Sequence, residues 1–291
     1  MLLGTVLLWA LNVTVTKFMF EHGWRPLSYG TIRYAGAILV FWLYTWWRER
    51  SFRIAREDWW LVALAGFFIF ANQVGFVYSV KLATASTVAL LLGATPVFMG
   101  LIALVLRLER LQSTFWVGAG ITFAGVALIA LASGGGLSGS LAGNLLAVGT
   151  AFTWACYSTA IAPLMRSYSP FRISSLVLLL GWVPLAITGA GQTAGQHFQF
   201  GALMWFAMGF AVIGPLFLTN LLWFTAISRV GPSRASLFSN LQPVFGVAFA
   251  LALLGEHLTR WEVLGGAIIL GAVVVERLRR TTTVNVVNVQ E

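Results

Sequence analysis

Charge is what this 291-residue chain has least of: Asp, Glu, Lys and Arg together make up 9% of it, against 59% hydrophobic residues before 30 glycines are counted. A soluble domain carries about 25% charged residues. Positions 111–165 and 173–228 contain none at all, so they cannot build a water-facing surface, and a soluble enzyme is excluded. Cysteine is nearly absent too. Cys156 stands alone, which excludes an internal disulfide and any multi-cysteine metal site. The histidines, His22, His197 and His257, form no sequence-visible ligand cluster. There is no HExxH, and GGGLSG (134–139) lacks the Lys-Ser/Thr that completes a phosphate-binding loop. Neither ATP hydrolysis nor any metal or cofactor is expected.

What remains is apolar sequence in spans. A helix needs about 20 mostly apolar residues to cross a bilayer core of about 30 Å. Reading between charge clusters gives ten intervals: 2–20, 28–47, 59–80, 84–106, 114–132, 141–162, 171–190, 202–226, 233–254 and 259–276. Their interiors show no sustained alternation, and backbone groups in lipid have to be satisfied within the segment, so helices are expected and a barrel is not. The first residues, MLLGTVLLWA, lack a basic leader and a small-residue cleavage pattern, and read as the start of the first span. The charge-free runs divide at SGGGLSGS (133–140) and at the polar stretch 189–199.

The net charge of +9 is distributed as a topology signal and not as a nucleic-acid surface. With ten spans, one side receives Arg48, Arg50, Arg53, Arg56, Arg107, Arg110, Arg166, Arg172, Arg229, Arg234, Arg277, Arg279 and Arg280. The other receives Lys17, Arg25, Lys81 and Arg260, and Arg33 falls inside span two. Both termini of the multi-pass chain are therefore expected in the cytoplasm. Tyr44, Trp46, Trp47, Trp59, Trp60 and Trp116 sit at span ends, as interfacial anchors do.

The chain also resembles itself. At a displacement of 147 residues Ser86 maps to Ser233, Pro96-Val97-Phe98 to Pro243-Val244-Phe245, Glu109 to Glu256 and Gly118 to Gly265. Trp9 and Trp154 open similar first spans, and Pro26 and Pro170 precede the second. Five spans per copy is odd, so the copies enter the membrane from opposite sides, as in secondary transporters that work by alternating access. The expected fold is an all-α polytopic membrane protein, ten transmembrane helices as two inverted five-helix repeats. The repeats would occupy 1–133 and 134–280, followed by a flexible tail at 281–291.

The segments WALNVTVTK (9–17), ATASTVALLLGATPVF (83–98) with LER (108–110), GNLLAVGTAFTWACY (143–157) and SRASLFSNLQPVFGVAFALALLGEHLT (233–259) resemble the two-repeat EamA pattern of the drug/metabolite transporter superfamily. Ala10 stands where that pattern commonly has Gly, and His257 where Arg or Lys is common. The resemblance covers nearly the whole chain. It implies a bacterial exporter of amino acids or related metabolites, and the aromatic-rich interior is most similar to the YddG-type amino-acid exporters.

Few residues are available to carry specificity. Arg33, inside a span, either attracts a substrate carboxylate or snorkels to the interface. Lys17 has the same two readings. A pocket is expected from Trp9, Asn12, Asn72, Gln73, Tyr78, Trp154, Tyr157, Asn220, Trp223, Ser236, Asn240 and Gln242, whose amides and hydroxyls suit an amino acid's polar groups and whose indoles attract an ammonium. Polar side chains also join membrane helices to one another. Pro96 and Pro243 mark either gates or fixed kinks. Glu109 and Glu256 suit helix-end anchoring through a nearby Arg. Gly118, Gly120, Gly125, Gly265, Gly266 and Gly271 permit close helix packing, within or between subunits. Whether the chain is a monomer or a homodimer stays open.

The expected partners are membrane lipid and a small amphipathic or zwitterionic substrate, with no nucleic acid. Asp58 is the only aspartate and no glutamate falls at a span centre, so passive, gradient-driven export is at least as expected as proton antiport. The rival readings are an exporter of hydrophobic or aromatic cations on the same fold, and a channel-like membrane component.

Overall fold

A computed structural model describes residues 1–107, 113–131, 140–230 and 241–271. The elements are all helical: α1 (Leu2–Glu21), α2 (Pro26–Glu49), α3 (Trp59–Leu82), α4 (Ala85–Leu92), α5 (Thr95–Val105), α6 (Ser113–Leu131), α7 (Leu141–Ile161), α8 (Leu164–Ser167), α9 (Pro170–Ala194), α10 (Ala202–Val212), α11 (Thr219–Val230) and α12 (Gln242–Leu254). A π-helical segment, Ile213–Leu218, joins α10 to α11, and a last helix occupies 260–271. Among the described residues six stretches are long and apolar enough to cross a membrane: Leu2–Glu21, Arg56–Leu82, Ala85–Val105, Leu141–Ser167, Pro170–Ala194 and Ala202–Trp223. The chain is an all-α, multi-pass membrane protein.

Local chemistry sets the helix ends. Pro26 and Pro170 begin α2 and α9, where their missing N–H costs nothing. The side-chain oxygens of Thr84, Ser140 and Ser169 each accept a backbone N–H from the first turn of α4, α7 and α9. The interval expected as the fourth span, with a bend or kink at Pro96, is divided at Gly93–Ala94, and Pro96 lies in the first turn of α5. Pro243 likewise lies in the first turn of α12.

The core forms where the two halves of the chain interleave. Helix α2 lies along α9, α3 along α7 and α9, and α12 against both α1 and α4. The α2–α9 contact is tied at both ends. At one, Arg172 pairs with Glu49 through Nη2 at 2.8 Å and Nε at 3.0 Å, and Ser169 donates to the same carboxylate. Beside it, Tyr168 donates to Asp58 at 2.6 Å, a bond that holds the phenol above its ordinary pKa. At the other end the amides of Arg25 and Leu27 donate to Gln196 and Gln192. Between them Trp182 Nε1 donates to the Thr31 carbonyl at 2.9 Å.

Glycine permits the tightest approach, between α6 and the last helix. A Cβ on Gly125 would sit 2.8 Å from the Gly265 carbonyl oxygen, and one on Gly265 would sit 2.8 Å from that of Gly125. The close packing expected of these two glycines is thus made inside one chain. Gly265→Val should cost about 1–3 kcal/mol through forced displacement of the backbones, seen as a lower melting temperature in detergent. Gly120→Ala, with nothing within 4 Å of the new Cβ, should leave melting unchanged or slightly raised. Equal melting of Gly265→Val and the parent would rule out this contact.

Candidate functional site

A cavity with about 120 Å³ of water-accessible space lies where the two halves meet. Helix α1 contributes Trp9, Asn12 and Val13; α2 contributes Arg33 and Tyr34; α3 contributes Ile69, Asn72, Gln73 and Phe76. The division between α4 and α5 supplies Leu92, Gly93, Thr95, Pro96 and Met99. From the second half come Thr150, Trp154 and Tyr157 of α7, Leu178 of α9, Pro215 and Leu216 of the π-helical segment, Asn220 and Trp223 of α11, and Gln242 of α12.

One wall is aromatic. Trp9 meets Trp154 edge-on with centroids 5.6 Å apart and Trp223 at 5.1 Å, while Trp154 contacts Tyr157 at 5.3 Å. The Trp9 indole N–H donates to Thr219 Oγ1 at 3.0 Å, and Thr219 itself donates to the Pro215 carbonyl. Pro215 lacks an N–H and cannot donate to the preceding turn, and the helix widens into a π turn around it.

The opposite wall is built on Arg33, which is only 3% exposed and therefore does not snorkel to the interface. Its Nη1 donates to Asn12 Oδ1 at 3.0 Å and its Nη2 to Gln73 Oε1 at 2.8 Å. The rings of Tyr29, Tyr34 and Phe76 surround the guanidinium carbon at 5.2, 5.7 and 5.6 Å. Arg33 Nε and Gln73 Nε2 are buried with no hydrogen-bond partner among the described residues. No acid answers this charge: among the described residues the only ion pair is Glu49–Arg172, and Arg33 is the only charged residue in the cavity lining. Asn12 and Gln73 spread the guanidinium charge through oriented carbonyl dipoles without neutralising it.

The structure brings Trp9, Asn12, Arg33, Asn72, Gln73, Trp154, Tyr157, Asn220, Trp223, Gln242 and Pro96 to this cavity. Lys17 and Tyr78 stand elsewhere. Lys17 Nζ donates to the carbonyls of Val80 and Ala83 at the end of α3, and Tyr78 accepts from Gln192 Nε2. Pro243 is outside the lining and packs toward Gly93 at the α4–α5 division. Ser236, Asn240 and Glu109 lie outside the described residues. Glu256 does anchor a helix end, but through the backbone amides of Ala85 and Ser86 and not through an arginine.

Not all of the lining was anticipated. Tyr34, Phe76, Thr150 and Pro215 were missed; only Pro215, a proline inside an apolar interval, carried a sequence signal. Glu262 was missed as well. It is 2% exposed, and Thr259-x-x-Glu262 forms a capping box in which each residue binds the other's backbone N–H.

Comparison with known proteins places this architecture. The EamA-like transporter family matches residues 1–131 and 141–276. A probable amino-acid metabolite efflux pump of Salmonella typhimurium is 26% identical, with 96% of each chain covered. The uncharacterized transporter YetK of Bacillus subtilis is 23% identical over 92% of this chain and 83% of its own. An uncharacterized transporter of Archaeoglobus fulgidus is 27% identical over 94% and 97%. A crystal structure superposes with a TM-score of 0.66 at 20% identity, covering 96% of each chain, a likeness of fold alone. The family is one of small-molecule carriers with no known catalytic activity. By the match over both halves, the chain belongs to the EamA-like transporter family and is a secondary small-molecule transporter.

Proposed function

We propose that the protein exports amino acids or related small metabolites across a bacterial inner membrane, by alternating access between two inverted five-helix halves, 1–133 and 134–280. The observation that carries the cargo class is Arg33, a buried cation with no acidic partner among the described residues. A substrate carboxylate supplies the missing charge, and the unpartnered Arg33 Nε and Gln73 Nε2 offer it donors. The indoles of Trp9, Trp154 and Trp223 offer apolar surface and a π-face for an ammonium group. Asn12, Asn72, Tyr157, Asn220 and Gln242 orient the cargo between them, with Ser236 and Asn240 as further candidates.

The Salmonella relative, a probable amino-acid metabolite efflux pump, agrees with this cargo, and the aromatic wall favours the YddG-type subgroup within the family. The rival cargo, an aromatic cation, is disfavoured by the same charge, because like charges in a poorly hydrated cavity repel strongly. Ten spans and two inverted copies are supported by the 147-residue self-similarity and by the two segments that the family matches. The arginine distribution supports cytoplasmic termini. Division of a span at Gly93–Ala94 beside the cavity suits a carrier whose half-helices bend at a gate, with Pro96 in the first turn of the half that follows and Pro243 in the first turn of α12.

Purified protein in liposomes should move labelled amino acids with saturable kinetics. Movement of aromatic cations but of no amino acid would overturn the cargo assignment. Arg33→Met, which removes the charge but keeps an unbranched side chain, should lower amino-acid transport at least about tenfold. Melting of the purified variant shows whether the fold survives, and a folded variant with unchanged kinetics would remove Arg33 from the route. Reporter fusions at Met1 and Glu291 should both read cytoplasmic; opposite sides would break the even span count.

A further inference from the structure

Polar groups from four separate segments converge on one corner of the chain, residues 80–87, where α3 turns into α4. Lys17 of α1 donates to the Val80 carbonyl at 3.3 Å and to that of Ala83 at 2.8 Å. The Ser140 amide, just before α7, donates to the Leu82 carbonyl at 2.9 Å. Glu256, just after α12, accepts the backbone N–H groups of Ala85 at 2.7 Å and Ser86 at 2.9 Å, together with the Ser86 hydroxyl. Glu262, in the last helix, accepts from the hydroxyl of Thr87. The corner lies on the side that the arginine clusters avoid.

Each bond answers a particular deficit. The last carbonyls of α3 and the first amides of α4 have no partner within their own helices. The cation therefore sits at the carbonyl end of α3 and the carboxylates at the amide end of α4, the arrangement that both helix dipoles favour. Gly255 makes the Glu256 contact possible. It ends α12 in the left-handed region at φ +64°, and the chain reverses so that the next side chain faces α4. Two of the four segments, those carrying Glu256 and Glu262, reach the corner from the far end of the sequence.

Helix α4 connects this corner to the cavity. It is eight residues long, about 12 Å at the α-helical rise, with the carboxylates at the first turn and the cavity-lining Leu92 and Gly93 at the last. We propose that the 80–87 corner is a polar latch that holds the cavity shut on the arginine-poor side, and that Glu256 is its principal catch. Opening that side separates α4 from the chain after α12, and the bonds to Glu256 are the ones that break. The meaning of the latch rests on the carrier reading, but its test needs no cargo, so the two fail separately.

The test places a reporter thiol in the lining, Met99→Cys, in a Cys156→Ser background, in membrane vesicles of both orientations. A membrane-impermeant methanethiosulfonate is then applied. Glu256→Gln substitutes a donor for one acceptor atom at the α4 amides. It should raise the labelling rate from the arginine-poor side about tenfold, the scale of losing one hydrogen bond to a charged group, and should not raise it from the other side. Ser86→Ala removes a single hydroxyl contact, carries little risk of unfolding, and should act in the same direction with a smaller effect. Labelling that is unchanged in both variants, or that rises equally from both sides, overturns the latch.

Discussion

A guanidinium buried with no acid beside it among the described residues is the constraint around which this cavity is built. Withdrawing such a charge from water costs several kcal/mol even after relaxation, and the chain offsets that cost with neutral dipoles and aromatic faces. Asn12 and Gln73 each give Arg33 a carbonyl oxygen, and in doing so they fix α1 and α3 to α2. Tyr29, Tyr34 and Phe76 supply electron-rich rings. A glutamate beside Arg33 would have neutralised it and, in the cargo reading proposed above, would have taken the place of the substrate's carboxylate.

The broad architecture was legible in the sequence because lipid enforces it. A span has to be long, apolar and helical, and a chain with so few charges shows where each one stops. Arg33 was legible as a charge inside a span, but its depth was not, because a snorkelling arginine and a buried one leave the same sequence; the aromatics of α1 and α7 were legible as candidates. Side-chain direction was not. Lys17 and Tyr78 sit on helices that do reach the cavity, yet neither lines it, since helix rotation depends on neighbours that a linear sequence does not name. The division at Gly93–Ala94 was partly hidden because Pro96 tolerates a first-turn position as readily as a kink. Thr150 and Phe76 carry no signal that separates a lining residue from a packed one.

The two classes of acid also differ from what their positions suggest. Glu256 and Glu262 lie close to span ends, where solvation would normally make carboxylates unremarkable. Instead both point inward to a helix start, and Glu262 is as deeply buried as the core aromatics. Neither contributes to the cavity lining, so the cavity keeps its positive character while negative charge is held one short helix away. Charge is thus segregated along α4, with carboxylates at its start and the cationic chamber at its end.

The α2–α9 pair sets a geometric limit on any motion of this molecule. It is fastened at one end by Glu49, Ser169 and Arg172, at the other by Gln192 and Gln196, and in the middle by Trp182. A pair fixed at three heights cannot splay at either face without losing bonds, whereas it tolerates rotation of the surrounding helices about its length. In the alternating-access reading proposed above, the α2–α9 pair is thus the post about which the other helices would turn, since parting it would break bonds at all three heights.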